Sequence, residues 1–193
     1  MTETEICNMS LSRLGASRIN DYATANTTEA INCRLQYPQT LKSLLRSYDW
    51  PFARKRATLS QDTTSPLFQW DYQYVLPSDF SRLLLINEFD ITDGLDDRWT
   101  IEGKRILTNY DTMNIVYIRN GITVNEFDPL FIDTLVLRLA LKLIPPILGT
   151  KSSNFYAEIK DDLRYTEYKA RAICAQEVNV TGREAFNTAR YDS

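Results

Sequence analysis

The chain has 193 residues, 44% hydrophobic and 24% charged, with a formal net charge of −3, which suits a soluble globular protein of one domain or a domain with an insertion. That charge argues against free nucleic-acid binding through a basic face. The complete lack of histidine removes the commonest general base, the usual catalytic triads and most zinc sites.

Thr2-Glu3-Thr4-Glu5 fits a capping box, in which a threonine oxygen and a glutamate three residues on satisfy amides at a helix start. The spacing predicts a first helix to about Leu14, ended by Gly15 in a left-handed conformation. Two acids and no apolar core within residues 1–10 argue against a secretory signal. Ala16–Thr28 is a polar connection. A second helix is predicted over Thr28–Tyr48, with Ala30, Ile31, Leu35, Leu41, Leu44 and Leu45 as its apolar positions. Pro38 lies inside it, predicting a kink near 34–37 or two shorter helices.

Trp50 and Phe52 flank Pro51, which disfavours helix at the residue before it, so the helix stops there with two bulky anchors. Arg54, Lys55 and Arg56 follow as the densest cationic run. Three readings of that run stand side by side: a solvated strand face, a contact with a partner subunit, and a phosphate contact.

The pattern then turns to short extended runs, predicting strands at Arg56–Ser60, Gln69–Leu76, Arg82–Asn87, Trp99–Glu102, Lys104–Thr108 and Asn114–Arg119. Alternation of large apolar and polar groups in 70–75 marks a half-buried strand, and Glu102-Gly103-Lys104 reads as a tight hairpin turn. Asp90–Arg98, with four aspartates, reads as an exposed loop that departs from the calcium-loop pattern. Asp128-Pro129 opens a third, almost wholly apolar helix to about Ile144, central to a bundle or packed on several sides. Pro145, Pro146 and Gly149 bend or terminate it. Its charges and prolines make it a poor membrane span. A fourth helix, capped within 152–154, runs to about Val178 with Phe155, Ile159, Leu163, Thr166, Ala170, Ile173 and Cys174 inward and Glu158, Lys160, Asp161, Arg164, Glu167 and Lys169 outward. Residues 179–193 read as a loose polar tail in which Phe186 and Tyr191 can be buried only by docking on a partner.

Cys7, Cys33 and Cys174 form no CxxC pair and are odd in number, so they read as reduced thiols of a protein folded in the cytoplasm. No glycine-rich phosphate loop is present. Carboxylate-pair hydrolysis has Glu102 and the aspartates of 90–97 as its candidates, with nothing to select a pair. The fold class expected is α+β: a bundle of about four helices with a β-rich insertion between the second and third, divided as 1–52, 53–125, 126–178 and a tail 179–193.

The order of these elements, with ICNMSLSRLGASRIND, EAINCRLQYPQTLKSLLRSYDWPFARKRATL, WDYQYVLPSDFSRLL, WTIEGKRILT and VYIRNGITVNEFDPLFIDTLVLRLALKLIPPILG, resembles the tail tubular protein A family of short-tailed bacteriophages over roughly residues 5–175. The resemblance implies a non-enzymatic virion protein, a head-to-tail adaptor or gatekeeper forming a homo-dodecameric ring. Its implied partners are the portal protein above, the tail nozzle (tail tubular protein B) and the tail fibre below, and double-stranded DNA in transit, with no membrane and no cofactor or metal. It implies the third or fourth helix near the ring interior, the tail reaching the portal, and an acidic subunit suited to sliding DNA. Trp50 and Phe52 are then structural anchors, and Arg54, Lys55, Arg56, Phe186 and Tyr191 subunit or partner contacts. The competing expectations are a tail-associated peptidoglycan hydrolase and a plain α+β binding module.

Overall fold

A computed structural model describes residues 1–87, 89–90, 98–149 and 153–178. Among them the chain is α+β, with four α-helices and two antiparallel sheets. It divides into two compact units, Met1–Phe52 with the chain from Ile122 onward, and Ala53–Gly121. The second division falls at Gly121/Ile122, where the sequence reading placed 125/126.

In the helical unit, α1 spans Glu3–Arg13, α2 Thr28–Ser47, α3 Pro129–Leu148 and α4 Ser153–Val178. The capping box forms: the Glu5 amide donates to Thr2 Oγ1 (3.2 Å) and the Thr2 amide to Glu5 Oε2 (2.7 Å). Gly15, at φ +64°, lets the chain leave α1 while the Ala16 amide donates to the Leu11 carbonyl, satisfying an end group. The connection after it is tied down by polar side chains. Asn8 exchanges two hydrogen bonds with the Ile19 backbone, and Arg34 donates to the carbonyls of Tyr22 and Ala25.

Helix α2 is a single helix through Pro38, so the alternative of two shorter helices is not what forms. Its inward row is Ala30, Cys33, Tyr37, Thr40 and Leu44, spaced by three and four residues as a buried helix face requires. Ile31 and Leu35, counted with the apolar positions of this helix, are exposed. Ile31 sits one residue, roughly 100°, round from Ala30, so hydrophobicity alone does not place it.

Helix α3 begins where Asp128 Oδ1 accepts from the amides of Leu130 (2.8 Å) and Phe131 (3.3 Å). Helices α1, α2 and α4 all pack on it, which is why its residues are apolar nearly all round. Ser10 Oγ donates to the Val136 carbonyl inside this core (3.0 Å). The helix continues through Pro145 and Pro146 to Leu148 and ends at Gly149, beyond the expected stop at Ile144. Two prolines in the last turns remove only donors that would have reached the carbonyls of Leu141 and Lys142. Lys142, Pro145 and Pro146 are exposed, so water can serve those carbonyls.

The β unit contains a four-stranded sheet, order β1-β7-β3-β4, and a three-stranded sheet, order β2-β6-β5. The strands are β1 Arg54–Thr58, β2 Tyr72–Val75, β3 Phe80–Ile86, β4 Phe89–Asp90, β5 Trp99–Glu102, β6 Arg105–Thr108 and β7 Asn114–Arg119. Strand β1 starts two residues earlier than expected, so the cationic run lies within it. Strand β2 starts three residues later, because Gln69 at φ +71° cannot extend it. The two-residue β4 was not anticipated, and the rest of the predicted acidic loop, 91–97, lies outside the described residues. Register pairs Glu102 with Arg105, leaving Gly103 at φ +59° to make the hairpin turn. Leu59, Tyr74, Leu83, Ile86, Ile106 and Tyr117 centre this unit's own core.

Candidate functional site

Trp50 is buried, and its indole Nε1 donates to the Leu44 carbonyl at 2.9 Å. That carbonyl belongs to the last turn of α2 and also accepts from the Ser47 hydroxyl at 2.8 Å, so two side chains close the helix end. The ring meets Phe131 of α3 edge-on, centroids 4.9 Å apart, and Tyr48 at 5.5 Å. Phe52 is half-buried and contacts Phe131 at 5.0 Å and Phe127 at 6.0 Å. These aromatics hold the end of α2 against the start of α3.

The run Arg54-Lys55-Arg56 occupies β1, an edge strand, where charged side chains discourage pairing with foreign strands. Lys55 Nζ lies 2.7 Å from Asp79 Oδ2, and the Tyr117 hydroxyl donates to Asp79 Oδ1 at 2.8 Å. Burial pushes the Asp79 carboxyl up, but the hydrogen bonds from Lys55 and Tyr117 outweigh it and the net shift is downward. The Asp79 bond raises the Lys55 ammonium in turn. Lys55 is thus committed within its own unit, whereas Arg56 is exposed. Phe186 and Tyr191 lie outside the described residues.

Other sequence candidates are scattered. Glu102 is exposed at the end of β5, and no group of three or more His, Cys, Asp or Glu converges on a metal position among the described residues. Cys7 and Cys33 share a hydrogen bond that, with burial, raises the Cys7 thiol, while burial pushes Cys174 up to about 11. No described helix is long and apolar enough to cross a membrane. Glu167, expected on the outer row of α4, turns inward to Arg138 at 2.6 Å.

The most unusual surface lies in the loop before β2. Asp62 anchors its base: Oδ2 accepts from Arg105 Nε at 2.7 Å, and Oδ1 from the Thr64 amide and hydroxyl. Gln73 Nε2 donates to the Thr64 carbonyl, and the Asp71 amide to Asn109 Oδ1. Between these ties, the Trp70 amide donates to the Phe68 carbonyl (2.9 Å) around Gln69 at φ +71°, a tight, strained three-residue turn. At the tip Leu67 is 96% and Phe68 78% exposed.

Sequence reasoning passed over this knuckle. The one signal for it was an isolated Pro-Leu-Phe between polar residues at 66–68. The strain is invisible in the sequence, because Gln69 is not a glycine.

No family model matches the chain, and no curated protein matches it.

The Arg105 guanidinium, and then the Thr64 donors, hold the Asp62 carboxyl down at about 2. A carboxylate depressed in the fold stabilises it above the unfolded value of about 4, and that contribution disappears as pH falls through about 2. The β unit is therefore expected to lose stability between about pH 4 and about pH 2. Asp62→Asn should flatten that limb of a urea-midpoint profile against pH, and an unchanged profile would count against the bridge.

Proposed function

We propose that the chain is the head-to-tail adaptor of a short-tailed bacteriophage, assembling as a ring of twelve between the portal protein and the tail nozzle and leaving a conduit for DNA. The observation carrying this reading is the interrupted layout: a helical unit built from both ends of the sequence, with a β unit inserted between α2 and α3. Together with the ordered sequence blocks that resemble tail tubular protein A, it supports an adaptor above a plain binding module.

Function in this reading is mechanical. Many modest heterologous contacts close a ring, and the ring binds the portal with the avidity of all its subunits. With α3 packed by the other three helices, this reading takes α4 as the helix that faces the lumen. Its solvent face mixes Glu158, Asp161 and Asp162 with Lys160, Arg164 and Lys169, a near balance that leaves DNA phosphates without a trap.

Negative-stain imaging of the purified chain mixed with portal rings tests the proposal. A twelvefold layer added to the portal is expected. A stable monomer that leaves portals bare would overturn it.

A further inference from the structure

Nothing among the described residues covers the Leu67–Phe68 tip. An apolar tip on a strained turn, held by side-chain ties at both ends of its loop, is an arrangement found where a loop serves recognition. We infer that it docks on the exposed Ile31–Leu35 stripe of α2 in a second copy of this chain, a head-to-tail contact between neighbours. The inference deepens the ring reading and rests on it for its stoichiometry.

Two features select this occupant. First, the stripe is an exposed apolar surface: Ile31 is 50% and Leu35 69% exposed, and a spacing of four places them side by side on one helix face. Second, the charges around the two surfaces are opposite. Residues 60–71 carry Asp62 and Asp71 and no cation, and Glu102 and Arg105 beside the loop cancel. Helix α2 carries Arg34, Lys42 and Arg46 against Glu29 alone. Complementary fields of this kind orient an encounter and set its register.

The same charges disfavour an anionic lipid surface, which attracts cations flanking an apolar tip and repels aspartates. A contact joining two different patches is either made reciprocally in a two-fold dimer or repeats from copy to copy, closing into a ring or running on as a filament. The ring reading selects the repeating form.

Mixing two full-length variants tests the contact directly. One carries Phe68→Cys and the other Leu35→Cys, with diamide as oxidant, in the presence and absence of portal rings. Cys7, Cys33 and Cys174 are buried and do not compete. A disulfide-linked dimer containing one of each variant is expected from the mixture, and a ladder of multimers from a chain carrying both changes. No mixed product under either condition, or linkage of the Phe68→Cys variant to itself, would overturn the inference.

Phe68→Asp supplies a second measurement that does not depend on cross-linking. With a residue so exposed the melting temperature should hold, while self-association weakens by tenfold or more. Unchanged association would again overturn the contact. The two readings fail separately: portal-bound rings without the mixed cross-link sink only the knuckle, and the mixed cross-link without portal binding sinks only the adaptor.

Discussion

Trp50→Ala is expected to destabilise the helical unit by about 3–5 kcal/mol, the range for removing a large buried aromatic. Three losses combine. The cavity opens against Phe131, the edge-on contact with Tyr48 goes, and the Leu44 carbonyl loses one of its two donors at the end of α2. Trp50→Phe separates these terms: it retains most of the ring contacts but deletes the indole N–H, leaving a smaller cavity and a Leu44 carbonyl held by the Ser47 hydroxyl alone, for about 1–2 kcal/mol. Urea titration followed by far-ultraviolet circular dichroism, which weights the helices, measures both. A Trp50→Ala loss below about 1 kcal/mol would mean that the neighbouring aromatics close over the gap, and Trp50 would no longer be an anchor.

The contrast between Trp50 and the knuckle shows what sequence could convey. Trp-Pro at the end of a periodic helix is a local signal, since the proline acts on its immediate neighbours and a tryptophan beside it must be covered by something. The capping residues at Thr2 and Asp128 and the glycine turn at Gly103 were legible for the same reason: each acts within four residues. Exposure of Ile31 and Leu35 was not legible, because which of several hydrophobic rows on α2 faces α3 depends on where Cys33, Tyr37 and Thr40 find room. Glu167 was misread through the same ambiguity, as its partner Arg138 lies on another helix. Helix α3 outlasting its two prolines also needed the structure, since proline position relative to solvent decides the cost. The base of the knuckle joins residues from two strands and two loops, and no periodicity reports such a meeting.

Glu167→Ala is the second large effect expected, about 3 kcal/mol, because it strands the Arg138 guanidinium in a site where each side chain keeps only 21% of its exposure. Arg138→Ala should cost less. Glu167 retains Arg171, whose guanidinium lies 3.7 Å from its other oxygen and stacks over Tyr48. Replacing both partners with leucine should be nearly neutral, since desolvating two ions offsets most of what their attraction returns. The expected order of urea midpoints is therefore wild type and double variant together, then Arg138→Ala, then Glu167→Ala. If the double variant falls below both single variants, the pair is a net stabiliser. If it holds its stability yet broadens its unfolding transition, the pair's contribution is to fix how α4 seats along α3, since a half-buried ion pair penalises shifts of one turn that an apolar seam alone would admit.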